Sequence, residues 1–431
     1  MIEKELIKQL IVDFQDSLPI DVYQRELQLP IDADKIVTVP GVRRCGKSSL
    51  LFYLMNTLIG KYGVKKEQIL FLNFDDERFD FQKDEFDLII QSYRELYPAI
   101  MLKDVYMFFD EVQMADGWEQ FVRRIYEQYC KHIFITGSNS KMLSSEISSS
   151  LRGRCLQYEE YPLSFSEYCS FKGIDTNYHS SANRALIVNA FKDYLFYGAF
   201  PEIALSRTIY RDRILQEYYY VMIYKDMIEH YGITNPQSVK YFVSRVMTNL
   251  TKPTSINKIY NEMKSQGVSI GKNSLYEWIE QTKSMYLFFS LPRYTASLVK
   301  ESLSDNKYYC IDNGLRSIFI HPSSDDRGKL LENLVFLHLN RTLPIDGKLS
   351  YFRGKKECDF VLQEDFKVKA LYQVTWSMNA TDTYQRELDG LLEAAHDTHC
   401  DQLYILTMEE ESVIEADGYT IHVVPAWKYM I

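Results

Sequence analysis

A chain of 431 residues is too long for one ordinary hydrophobic core, and 46% hydrophobic with 25% charged residues describes a globular protein of several domains. A net charge of −10 excludes a protein that coats nucleic acid through bulk charge, although a local basic surface stays open. The seven cysteines contain no Cys-x-x-Cys pair, the N-terminus lacks the layout of a signal peptide, and no apolar run reaches the length of a membrane span; together these predict a cytoplasmic protein with no membrane partner.

Residues 1–30 carry an amphipathic pattern at Leu6, Leu10, Ile11 and Phe14, followed by Tyr23-Gln24-Arg25-Glu26-Leu27, and predict a helical lead-in. The β-branched run Ile36-Val37-Thr38-Val39 then opens a core predicted over 31–170. After it, Gly41 to Ser48 matches G-x-x-x-x-G-K-[ST], and Leu50 to Met55 has helical propensity, which is the strand, loop, helix context that a phosphate-binding loop requires. Gly41, Val42, Arg43, Arg44, Cys45, Gly46, Lys47, Ser48 and Ser49 are the candidate cradle for a polyphosphate. Its charge would be met by backbone N–H groups and the positive end of the following helix. Lys47 is expected to reach the β- and γ-phosphates, and the Ser48 hydroxyl to ligate Mg²⁺.

Ile69 to Phe74 predicts a buried strand closed by the acidic stretch Asp75-Asp76-Glu77, either a solvated strand end or carboxylates facing the metal. Val105 to Phe109 predicts another strand, delivering Asp110 and Glu111 at its C-terminal end, where parallel sheets bind ligands. Asp110 would hold Mg²⁺, and Glu111 would orient or deprotonate the attacking water. The strand Ile133 to Thr136 leads to Ser138 and Asn139, candidates for sensing the γ-phosphate where an extra strand separates the two phosphate-site strands. Beyond it, Arg154, in preference to Arg152, is the candidate for stabilising transition-state charge, in its own chain or in a neighbour.

Residues 171–245 predict a helical lid, interrupted by a turn at Tyr197-Gly198-Ala199-Phe200-Pro201-Glu202. Over 246–325, the helices Ser255 to Met263 and Asn273 to Ile279, a turn at Gly267, and strand-like runs at Tyr286 to Phe289 and Lys307 to Ile311 predict a winged helix. Residues 205–300 hold 13 Lys or Arg against 7 Asp or Glu, a local +6 that favours a polyanion. Lys272, Asn273, Ser274 and Tyr276 are the candidate base-reading side chains, with Lys258, Lys264 and Arg293 for phosphates. The last segment, 326–431, opens with a helix carrying Glu332 and continues with strands carrying Asp359 and the triplet Gln373-Val374-Thr375. That is the layout of a PD-(D/E)XK nuclease core with its second carboxylate and its Lys both missing, so a crippled metal site is expected.

On these residues the whole chain resembles bacterial and archaeal AAA-like ATPases of the STAND type, which join a P-loop ATPase to a C-terminal domain holding a winged helix and an endonuclease-like fold. The matching motifs are Gly41 to Ser48, Asp110-Glu111-Val112-Gln113 with Gly117-Trp118, Thr136-Gly137-Ser138, Gly153-Arg154 with Pro162-Leu163-Ser164-Phe165, and Gly198-Ala199-Phe200-Pro201. Ile311 to Leu315, Glu332-Asn333 and Asp359-Phe360-Val361 match further on. The resemblance implies an α/β fold, with a parallel P-loop sheet covered by helices on both faces, followed by lid, winged helix and a restriction-endonuclease-like α/β domain. It also implies ATP and Mg²⁺ as ligands, with Lys47 and Ser48 on nucleotide and Mg²⁺, Asp110 on Mg²⁺ and Glu111 in hydrolysis. The expected activity is slow ATP hydrolysis that drives a conformational switch on DNA or a protein partner. A protein-interaction adaptor and an ATP-controlled nuclease are the alternatives, and oligomerisation stays open.

Overall fold

In the computed structural model, which describes residues 3–78, 85–138, 151, 153–268, 270–295, 304–319, 326–379 and 381–431, the run Ile36–Pro40 is strand β1 with all five residues buried. Strands β2 (Ile69–Asn73), β3 (Tyr106–Asp110), β4 (Ile133–Gly137) and β5 (Cys155–Gln157) join it in the order β2-β3-β4-β1-β5, every pair parallel. Continuous apolar runs form these strands because both faces of the sheet are covered. On one face Val37, Val39, Phe108 and Phe134 pack with Leu50, Leu51, Leu54 and Met55 of the helix Lys47–Tyr62. On the other, Ile36, Leu70, Met107, Phe109 and Ile135 pack with the helices Lys4–Ser17, Asp87–Leu96 and Trp118–Gln128. These four helices are α1 (Lys4–Ser17), α2 (Lys47–Tyr62), α3 (Asp87–Leu96) and α4 (Trp118–Gln128).

The lead-in differs from its expected form. Only α1 is helical, residues 18–35 are irregular, and the fully buried stripe is Ile7, Ile11 and Gln15, with Leu6, Leu10 and Phe14 half-buried. Gln15 can take the buried position because its amide donates to Ile69 O at 2.8 Å and its carbonyl accepts from the Tyr97 hydroxyl at 2.5 Å.

The chain divides into two compact units, Met1–Tyr161 and Pro162–Ile431. The second unit begins with helices α5 (Phe165–Phe171), α6 (Ser181–Tyr197), α7 (Pro201–Leu205) and α8 (Thr208–Val221), the last running on as a π-helical stretch, Met222–Glu229. Next come α9 (Pro236–Thr248), a short bridge of Thr254 to Asn306, α10 (Ile256–Ser265), α11 (Lys272–Ser284) and the antiparallel pair β6 (Phe288–Leu291) and β7 (Lys307–Cys310). A short helix α12 (Asn313–Ser317) leads to α13 (Arg327–Arg341). Strands β8 (Lys348–Arg353), β9 (Glu357–Glu364) and β10 (Lys367–Val374) are antiparallel, and helix α14 (Thr381–Thr398) connects β10 to the parallel strand β11 (Leu403–Thr407). With β12 (Ser412–Ala416), β13 (Tyr419–Pro425) and the terminal helix α15 (Ala426–Tyr429), the sheet is mixed and ordered β12-β13-β11-β10-β9-β8.

A buried polar hub joins these helices. Asn313 donates to Leu195 O and Leu330 O, and Asn333 donates to Cys310 O and to the Asn313 side chain, each within 2.9–3.0 Å. The Asp312 carboxylate accepts from Ala199 N–H at 2.5 Å and from Gly314 N–H at 2.7 Å. Two sequence motifs, Gly198 to Pro201 and Asp312-Asn313-Gly314, therefore meet in a packing role.

Candidate functional site

The site lies where β1 and β3 end, with β4 between them. Gly46, at φ +108°, turns the loop into α2, and Arg44 at φ +67° shares that left-handed backbone. Gly41 has a different reason to be glycine: it pairs with Glu160, and a Cβ here would come well inside 3.0 Å of the Glu160 carbonyl oxygen. The loop is further held by Cys45, whose thiol donates to Glu160 O at 3.3 Å and is pushed up to about 11 by burial. Buried Arg25 donates to Cys45 O at 2.7 Å and to Tyr161 O at 2.8 Å, and its guanidinium is ion-paired with Glu160.

Lys47 is 4% exposed, and its ammonium donates to Gly41 O and Val42 O, both at 3.2 Å, and stands 3.3 Å from Glu111 Oε1. Burial pulls its pKa down, but Glu111 foremost and Asp110 outweigh it and hold the pKa above its ordinary value, so Lys47 is a cation. The Ser48 hydroxyl donates to Asp110 Oδ2 at 2.6 Å, and the Thr136 hydroxyl donates to the other oxygen of the same carboxylate. Burial raises Asp110 above the usual carboxylate range even though Ser48 and Thr136 hold the charged form. For Glu111 burial acts the same way, but Lys47 and Gln113 prevail and lower it.

Glu111 sits at φ +50°, a costly backbone for a residue with a Cβ. Its N–H donates to Thr136 Oγ1 at 3.0 Å, and its side chain accepts from Gln113 Nε2 at 2.5 Å and from Ser138 Oγ at 2.9 Å. Among the described residues Gln113 Oε1 is buried with no hydrogen-bond partner, a polar atom beside the carboxylate. The arrangement can place a cation and a hydroxyl at a phosphate while holding a carboxylate that is oriented from three sides. Ser48 and Asp110 are hard oxygen ligands beside one another, the donor chemistry that suits Mg²⁺.

Of the expected residues, Lys47, Ser48, Asp110, Glu111 and Ser138 come together, whereas Asn139 lies outside the described residues, as does Arg152. For Arg154, the carbonyl accepts from Ile36 N–H at the start of β1, about 13 Å along the strand from the loop, and the guanidinium pairs with Glu127 at 2.8 Å; its role toward transition-state charge, in its own chain or in a neighbour, stays a proposal. Asp75 and Asp76 pair with Arg43 (3.8 Å) and Arg78 (2.6 Å) rather than with the Ser48 and Asp110 pair. Thr136 and Gln113 were recognisable as parts of motifs but carried no assigned role. The Arg25 and Glu160 pair left no sequence signal, because its members are 135 residues apart on irregular segments.

In the second unit, Lys272, Asn273 and Tyr276 are exposed at the start of α11, and Lys258 and Lys264 are exposed on α10. The Arg293 backbone bridges to Tyr351 and its guanidinium donates to Arg353 O, tying it to the C-terminal sheet. Glu332, Asp359, Gln373 and Thr375 line one pocket of about 740 Å³.

An AAA domain family (AAA_14) matches residues 33–169, and two domains of unknown function, DUF8612 and DUF4143, match 188–325 and 327–429. The chain is 31% identical over 445 residues to the uncharacterized protein MJ1544 of Methanocaldococcus jannaschii, covering 100% of this chain and 96% of that one. It belongs to the same family as MJ1544. An uncharacterized protein of Haemophilus influenzae is 28% identical over 81% of this chain and 86% of its own length. Of solved structures, the ORC1 protein of Aeropyrum pernix, determined in complex with DNA, covers 73% of this chain and 91% of its own at 12% identity and a TM-score of 0.31, too loose to carry an argument. The AAA match and the parallel sheet make the first unit of this MJ1544 relative an AAA-type P-loop domain. DUF8612 spans the expected winged helix and the expected lid from residue 188 onward as one matched segment.

Proposed function

We propose that this chain binds ATP with Mg²⁺ and hydrolyses it slowly, using the nucleotide as a switch for its second unit. The observation that carries this reading is the convergence of Lys47, Ser48, Asp110 and Glu111 at the ends of β1 and β3. Lys47 would exchange its carbonyl acceptors for phosphate oxygens, and Ser48 and Asp110 would hold Mg²⁺, which neutralises phosphate charge when bound. Glu111, kept ionised by Lys47 and aimed by Gln113 and Ser138, would orient the attacking water and accept its proton. Ser138 is the sensor candidate in this scheme. Titration of purified protein with a fluorescent ATP analogue and Mg²⁺ tests it: wild type is expected to bind and Lys47→Ala to lose binding. Equal affinity in the two would remove Lys47 from the site.

The helices α9, α10 and α11 with β6 and β7 support a winged helix, and the exposed Lys272, Asn273 and Tyr276 support duplex DNA as its partner. Binding is expected to be weak and visible only at low salt, since Arg245 and Lys283 are engaged with Glu262 and Glu280. No DNA affinity at low salt with ATP, ADP or neither would favour a protein-binding adaptor. The segment 326–431, with αβββαβ order from α13 to β11, supports an endonuclease-like core that does not cleave DNA.

A further inference from the structure

Lys307 opens β7, and its side chain, 1% exposed, reaches the pocket floor formed by α13 and β9. Its Nζ stands 3.1 Å from Glu332 Oε1, 2.8 Å from Glu357 Oε1 and 3.0 Å from Asp359 Oδ1. Two of these carboxylates are also held from behind. The Tyr309 hydroxyl donates to Glu332 Oε1 at 2.8 Å, and Val374 N–H donates to Asp359 Oδ2 at 3.0 Å. Gln373, in the place of a second nuclease carboxylate, accepts from Asp359 N–H at 3.2 Å and donates to Glu387, so it braces the cage.

The cage has the dimensions of a hydrogen-bonded ammonium. Separations of 2.8–3.1 Å suit N⁺–H···O⁻ contacts, whereas Mg²⁺ draws its oxygens in to about 2.1 Å. Among the described residues no group of three or more His, Cys, Asp or Glu is arranged to hold a metal ion. An ammonium buried alone would shed its proton; burial pulls in that direction here, but the carboxylates of Glu332, Asp359 and Glu357 hold the Lys307 pKa well above its ordinary value.

We propose that Lys307 is the cation held among Glu332, Glu357 and Asp359, taking the place that a divalent metal ion would occupy there and fastening β7 to α13 and β9. This rests on the second unit alone and stands whether or not the first unit binds ATP. It also sets Lys307 apart from a catalytic lysine acting beside a metal, because an ammonium engaged by three carboxylates leaves no metal site among them.

The test is Mn²⁺ binding to the full chain by electron paramagnetic resonance, with thermal stability read in parallel. Wild type and Asp359→Asn are expected to bind the same amount of Mn²⁺, since any site on the first unit is common to both. Lys307→Met is expected to be less stable and to gain a Mn²⁺ that Lys307→Met/Asp359→Asn lacks, with Mn²⁺ restoring stability. Should Lys307→Met fail to fold, Lys307→Met/Glu332→Gln, with less residual negative charge, carries the same comparison. A Mn²⁺ bound by wild type and lost in Asp359→Asn would overturn the proposal and make Lys307 a partner of a bound metal. So would a Lys307→Met protein that is as stable as wild type and gains no ion.

Discussion

Gln113 is two residues beyond Glu111, and it marks the difference between a residue that binds and one that aims. Its amide donates to Glu111 Oε2 at 2.5 Å, while Lys47 balances the charge of the same carboxylate from the other side. Gln113→Leu is therefore expected to leave ATP affinity within about twofold and to lower turnover by about tenfold or more, as measured by phosphate release. An unchanged rate would mean that Ser138 alone aims the carboxylate. Gly41 makes the opposite case, where the constraint is steric. In Gly41→Ala the new methyl group meets the Glu160 carbonyl, so the loop or the segment carrying Glu160 must shift, at a cost of about 1–3 kcal/mol. Chemical denaturation is expected to show that loss together with failed nucleotide binding, whereas a stable, nucleotide-binding Gly41→Ala protein would show that the loop yields freely.

At the scale of elements, the junction of α6, α7 and α12 turns on Asp312. Burial pushes its carboxyl group up to about 7, outweighing the backbone N–H groups of Ala199, Gly314 and Leu315 that favour the charged form. The folded protein then holds a proton between about pH 4 and 7 that the unfolded chain releases, so this group's contribution to stability falls as pH rises toward 7 and is constant above it. Asp312→Asn removes that dependence. Unfolding by urea from pH 5 to 8 is expected to show wild type losing stability relative to Asp312→Asn as pH rises to 7, then running parallel. Parallel profiles throughout would show that Asp312 is ionised across the range. Gly198 belongs to the same junction, since at φ +86° a Cβ would collide with the Asp312 carboxylate. The four parallel strands β1 to β4 were legible in the sequence because buried strands read as continuous apolar runs, and β5 was not, because Cys155-Leu156-Gln157 is short and partly exposed. The α1 face was misplaced by one residue because a buried Gln, satisfied by two hydrogen bonds, breaks the apolar pattern.

For the whole molecule, legibility followed the chemistry. The convergence of Lys47, Ser48, Asp110 and Glu111 was legible because it depends on local sequence and on which strand end delivers them. The position of Arg154 was not, since it depends on where a loop returns, and here it returns to the start of β1. Lys307 was readable as part of a strand, but its meeting with Glu332 and Asp359, 25 and 52 residues away, exists only after folding. The central claim is that the first unit turns over ATP through Glu111, and single-turnover hydrolysis of radiolabelled ATP with Mg²⁺ tests it most directly. Wild type is expected to release phosphate slowly, while Glu111→Gln holds ATP with undiminished affinity and releases none. Equal phosphate release by the two proteins, or a wild type that binds no nucleotide in Mg²⁺, would contradict it.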